Sequence, residues 1–220
     1  MIDPKTFTFL KNISENNNRE WFASNKEKHD LSRDNVLDFT SDLIAEITKI
    51  DKEVPDVLNP KDCVMRIYRD VRFSPDKTPY KTNFGIGISP FGKTFKGPGY
   101  YLHIEPDKSF VAGGLWFPEA SVLKNIRQEI DYNYAELEEA IESDNFKNYF
   151  NELDREGALK TSPKGYPLDH PNIELLKLKS FTASHYLTNK ELSGSGAART
   201  VAAGFANLYP FIKFLRNATI

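Results

Sequence analysis

The chain of 220 residues has a single cysteine, Cys63, so no intrachain disulfide is possible, and one thiol suits a reducing compartment. It has no apolar stretch near the roughly 20 residues that a membrane span requires. Met1 to Leu10 shows no basic start, apolar run and small-residue cleavage site of a secretory signal. These absences set the expectation of a cytoplasmic protein with no membrane association. Only four histidines occur, His29, His103, His170 and His185, and none forms a metal-spaced pair, so no dedicated metal site is expected. Net charge is also scarce: 29 basic residues stand against 31 acidic ones, for a net charge of −2. A chain that tracks long nucleic acid normally carries a basic excess, so extended nucleic-acid binding is not expected. No internal repeat or long low-complexity tract is present.

Two short motifs are incomplete. Lys164-Gly165 lacks the flanking pattern of a phosphate loop. Gly194-Ser195-Gly196 lacks the strand–turn–helix setting of a nucleophile elbow.

Core-building residues are plentiful. Hydrophobic residues make up 40% of the chain and include 16 Phe and 10 Tyr, enough large rings to argue against disorder. The length suits one substantial core, and a single domain over residues 1–220 is expected. The first third has helical spacing: Phe7, Phe9, Leu10 and Ile13 follow a first-turn Pro4, and Val36, Phe39, Leu43 and Ile47 repeat along a longer stretch. Among Asn16, Asn17 and Asn18 one is placed to cap the helix that begins Arg19-Glu20-Trp21-Phe22, whose two rings read as core.

The middle third changes period. Alternation predicts strands over 62–68, 84–89, 99–105 and 110–117, with Pro106-Asp107-Lys108-Ser109 as a hairpin turn. The last third returns to helical spacing at Val122, Ile126 and Ile130, at Leu137 and Ile141, and again after Arg199. The expected fold is α+β: a central, mostly antiparallel sheet over residues 62–117, flanked by N-terminal and C-terminal helices. Cys63 is expected on the apolar face of the first strand, buried and inert.

One segment stands out chemically. Lys61 to Thr82 holds Lys61, Arg66, Arg69, Arg72, Lys77 and Lys81 against Asp62, Asp70 and Asp76, which leaves +3 there and −5 for the rest of the chain. A cationic island in an acidic chain fits a local anion site, and guanidinium groups suit planar capture of phosphate or carboxylate. Thr78-Pro79 reads as an N-cap and first-turn proline, whose helix would offer amides near Tyr80 and Lys81 to the same anion. The bland alternative is that Asp70 and Asp76 pair with the arginines and pin a loop.

Arg66-Ile67-Tyr68-Arg69-Asp70-Val71-Arg72-Phe73, followed by Asp76-Lys77 and Tyr80, resembles the hallmark of a microbial family called domain of unknown function 2461, which also occurs in some fungal proteins. Asn17-Asn18-Arg19-Glu20-Trp21-Phe22, Gly113-Gly114-Leu115-Trp116 and Pro163-Lys164-Gly165 resemble its other recurring pieces. The resemblance spans nearly the whole chain. It implies one family-length domain and carries no assigned activity, cofactor or catalytic residues.

A second signal lies on the strands. Alternation puts Arg66, Tyr68, Gly85, Gly87, Tyr101, His103 and Glu105 on one sheet face, where glycines allow close approach. His103 and Glu105, two apart on one strand, are candidates for acid–base work or for holding a metal; the plain alternative is a solvent-facing pair. Two functions follow. In the first, a small phosphate- or carboxylate-bearing ligand is held by Arg66, Arg69, Arg72, Lys77, Tyr80 and Lys81, with turnover through His103 and Glu105. In the second, the chain is a non-catalytic module and the arginine segment is an ion-paired loop or a docking surface for an acidic partner. No cofactor is specified.

Overall fold

The computed structural model describes residues 1–219. In chain order it contains α1 (Pro4–Glu15), α2 (Arg19–Ser24), α3 (Lys26–Ile50), α4 (Pro60–Cys63), β1 (Phe84–Ile88), β2 (Gly99–Ile104), β3 (Ser109–Leu115), α5 (Ala120–Tyr132), α6 (Tyr134–Glu142), α7 (Asp144–Phe150), α8 (Ile173–Leu176), β4 (Phe181–Leu187), α9 (Asn189–Ser193), α10 (Ala197–Ala206) and α11 (Tyr209–Asn217). The fold is α+β: the strands form one antiparallel sheet in the order β1-β2-β3-β4, and helices flank it. Among the described residues no helix is long and apolar enough to cross a membrane.

The described residues gather into two compact units. One comprises Met1–Phe95, Tyr101–Val111 and Tyr186–Ala203; the other comprises Lys96–Tyr100, Ala112–His185 and the chain from Gly204 onward. In the first unit α1 begins at Pro4 under an Asp3 cap, and α2 begins under Asn18, whose side chain accepts from the Trp21 amide. Each cap satisfies an amide that the first helical turn leaves without an intrahelical partner. Along α3, Val36, Phe39, Thr40, Leu43, Ile44 and Ile47 turn one stripe inward at the 3.6-residue period. Phe9, Leu10 and Ile13 of α1 and Ile86 and Ile88 of β1 complete this core. In the second unit Ile126, Ile130, Leu137, Phe146, Phe211 and Ile212 are buried.

The hairpin expected around Pro106–Ser109 is present between β2 and β3. Asp107 takes a positive φ of 61°, and Ser109 Oγ donates to the Glu105 carbonyl at 2.8 Å, closing the turn.

The expected strand over 62–68 is corrected. Asn59 caps a helical turn with Pro60 in its first position, so Pro60–Cys63 is α4. An Asn-Pro start satisfies the local backbone before any strand can pair, and this overrides the alternation. Beyond it, Val64 and Tyr68 make only isolated antiparallel bridges, to Ile86 and Tyr80. The sheet therefore does not begin at residue 62, and its fourth strand is β4, from the last third of the chain. Cys63 is fully buried, as expected, but in a helical turn, and burial pushes its thiol up to about 11.

Candidate functional site

Five stretches of the first unit line a cavity of about 530 Å³. The start of α3 contributes His29 and Arg33, and α4 contributes Lys61. The segment from Val64 to Tyr68 supplies Arg66, with Lys81 and Phe84 from the chain that runs back beside it. A single 3-10 turn, Gly92–Thr94, adds Lys93. The two runs beside the cavity are held by Met65 N–H donating to the Gly85 carbonyl at 2.9 Å and Lys81 N–H donating to the Ile67 carbonyl at 2.7 Å. Five basic side chains and no carboxylate line the space. Lys93 Nζ is spent on the Lys61 carbonyl. Among the described residues Arg33, Arg66 and Lys81 have no side-chain hydrogen bond or ion pair. Burial, then the nearby charge of Arg66, pushes the Lys81 ammonium below its ordinary value, because neither favours a second positive charge there.

The loop after this segment spends its charges on itself. Arg69 Nη1 donates to Asp76, to the Thr78 carbonyl at 3.1 Å and to the Thr78 hydroxyl. Arg72 makes a bidentate pair with Asp70, at 2.9 and 2.7 Å. Lys77 Nζ donates to the Val71 carbonyl at 2.9 Å. The Arg72 hydrogen bonds hold the Asp70 carboxyl below its ordinary range, and those of Thr78, with a smaller part from Arg69, do so for Asp76. Phe73, at the far end of the loop, is 94% exposed, with the Arg72 guanidinium 5.9 Å from its ring centre.

Of the expected ligand residues, Arg66 and Lys81 reach the cavity, whereas Arg69, Arg72 and Lys77 are tied within the loop. Tyr80 is a core residue, 5% exposed, with its ring stacked on Phe22 at 4.0 Å and its phenol pushed up by burial. The helix expected at Thr78-Pro79 is corrected. Tyr80 bridges to Tyr68, and the Thr78 amide and hydroxyl turn to Asp76, so the stretch is extended and offers no helix N-terminus.

His103 of β2 and Glu105, the residue after the strand's end, do meet on one side, as alternation requires. His103 Nε2 lies 3.0 Å from Glu105, an acceptor when ionised, so Nε2 carries the proton. Nδ1 then accepts from Tyr101 Oη at 3.1 Å and Asn83 at 3.3 Å, and Thr82 donates to the other Glu105 oxygen at 2.9 Å. Phe110 stacks on the imidazole at 4.7 Å. Both ring nitrogens are engaged, and neither residue lines the cavity. The glycines on this face make room for packing: a Cβ on Gly85 would meet Tyr101 Oη at 2.9 Å and Met65 Sδ at 3.1 Å. Arg66 was expected to share this face; the side chain from its segment that packs on Gly85 is Met65.

His29 and Arg33 were not among the expected site residues. Their i, i+4 spacing at the start of α3 puts them on one helix face. His29 is only 7% exposed, enclosed by Phe9, Phe22 and Phe84, and burial lowers its pKa. Its Nδ1 is 2.9 Å from Asp30, whose other partner is Lys26. Among the described residues no three His, Cys, Asp or Glu side chains gather as a metal site would require.

The family model described as conserved hypothetical protein (DUF2461) matches residues 5–214. No curated protein and no solved structure matches the chain.

Proposed function

The chain belongs to the DUF2461 family of conserved hypothetical proteins, and we propose that it binds a small phosphate- or carboxylate-bearing ligand in the cavity lined by Arg33, Lys61, Arg66, Lys81 and Lys93. One observation carries this reading: five basic side chains and no carboxylate surround one concave space. Such a set repels itself, and a bound anion relieves the repulsion while collecting charge-assisted hydrogen bonds. Val64, Met65, Ile67 and Phe84 give the same space apolar walls, so the ligand has an apolar portion as well as its charge. The reading is one of binding, since His103 and Glu105 lie off the cavity lining. The test is thermal melting of the protein against phosphates, nucleotides and dicarboxylates. At least one anion is expected to raise the melting temperature in proportion to the logarithm of its concentration. A flat response across the set would refute the reading.

A second reading has its own observation. Arg72 and Phe73 project from a loop locked by Arg69, Asp76 and Thr78. A preorganised cation beside an exposed ring suits docking to an acidic partner protein. That reading leaves the melting temperature indifferent to small anions and places the binding energy at Arg72 and Phe73.

A further inference from the structure

The cavity holds an imidazole acceptor among its cations, beside the hydroxyls of Tyr68 and Thr94. His29 lines it and is more than nine-tenths buried. An ionised carboxylate can only accept, so the 2.9 Å contact with Asp30 fixes the proton on Nδ1. Nε2 of the neutral ring is left with its lone pair and, among the described residues, no partner. Nε2 keeps contact with solvent, so its lone pair can accept from water or from a ligand that enters the cavity. The cavity thus offers two things at once: positive charge for an anion and, at His29, an acceptor for a proton donor. Fully ionised sulfate and carboxylate have no proton to give. A phosphate group does, since its second ionisation falls at about 6 in an ester and both protonation states are accessible near neutrality.

We infer that the cavity selects a phosphate group bearing a proton, as the free ion or as a monoester, over sulfate and carboxylate, with the P–OH donating to His29 Nε2. This rests on the reading of the cavity as an anion site. The groups around His29 keep it an acceptor. Phe9, Phe22 and Phe84 enclose the ring, Lys26 and Arg33 lie near it on α3, and Lys61, Arg66, Lys81 and Lys93 share its cavity; all of these oppose a further positive charge. Asp30 alone favours it, and Tyr68 is the remaining titratable group of the lining.

The experiment is calorimetric titration of the full chain near pH 7 with inorganic phosphate, phenyl phosphate and sulfate. Phosphate is expected to bind roughly tenfold or more tightly than sulfate, the worth of one hydrogen bond to a charged group. Tighter binding of phenyl phosphate than of the free ion would assign the site to an ester, and the reverse to inorganic phosphate. In His29→Phe the phosphate-to-sulfate ratio falls to about one, whatever change in affinity the two anions share. His29→Gln, which keeps a carbonyl acceptor, retains part of the preference. Equal binding of phosphate and sulfate overturns the selectivity alone. If none of the three binds, the anion reading falls and this inference falls with it.

Discussion

The carboxamide of Asn17 holds both backbone polar groups of Tyr80: its Nδ2 donates to the Tyr80 carbonyl at 2.9 Å, and its Oδ1 accepts from the Tyr80 amide at 3.1 Å. A side chain thereby does for one residue what a neighbouring strand does for a ladder. It fastens the connection between α1 and α2 to the chain returning from the arginine loop, one residue before Lys81 of the cavity.

Asn17→Ala leaves the amide and carbonyl of a buried residue without partners. The expected loss is roughly 1–3 kcal/mol, seen as a lower midpoint in urea with an unchanged slope. Asn17→Asp keeps the acceptor but sets a carboxylate against the Tyr80 carbonyl, so it is expected to be no better than alanine. A midpoint within error of wild type for both would show that the clamp adds nothing in solution.

Gly85 tests the packing under the cavity. Gly85→Ala is expected to destabilise the protein by about 1–3 kcal/mol through overpacking, because the added Cβ meets Tyr101 Oη at 2.9 Å. Tyr101→Phe removes that oxygen, so the alanine should cost less in the Tyr101→Phe background than in the wild type. Equal costs in the two backgrounds would place the strain elsewhere.

His29 sets a pH dependence whose sign follows from its burial. Its folded pKa lies below the ordinary 6.5, so the unfolded chain binds more protons between the two values. The stability due to the neutral ring is therefore complete above about 6.5 and is lost as the pH falls toward the folded value. The carboxylates lowered by pairing, among them Asp70 and Asp76, act below this window. Urea denaturation from pH 7.5 to 5 should show the decline in the wild type and a flatter curve in His29→Gln. A steeper curve in the variant would mean that burial does not disfavour the charged ring.

Much of this fold was legible in the chain, and the exceptions have physical reasons. Pro4 and the run Asn16-Asn17-Asn18, of which Asn18 is the cap, announce α1 and α2 because a fixed φ and a short polar side chain are what a helix start requires. The β2–β3 hairpin follows from period-2 alternation on either side of Pro106-Asp107. Alternation misled at Cys63–Tyr68, where the local Asn59-Pro60 signal won, and the isolated bridges fall short of a strand. In β4, Thr182, Ala183 and Ser184 are small side chains with little hydropathy contrast, so no alternation stood out. The arginine segment was found by charge alone, but charge cannot tell a guanidinium paired seven residues away from one left unpaired. Arg69 and Arg66 differ only in whether Asp76 and Thr78 curl back to meet them. His29 and Arg33 were silent because their partners in the cavity come from residues 61–93, and no local pattern encodes that meeting.

The central claim is that the anion sits in the cavity and not on the loop. It is tested most directly by the phosphate-induced shift in melting temperature, measured side by side for the wild type, Arg66→Gln, Lys81→Met and Arg72→Gln. Arg66 and Lys81 line the cavity, whereas Arg72 is surface-paired with Asp70. The expected result is a shift in the wild type that Arg72→Gln retains and that Arg66→Gln and Lys81→Met each weaken, with apparent affinity falling roughly tenfold or more. A shift lost in Arg72→Gln and kept in the other two, or no shift in the wild type, would contradict the account.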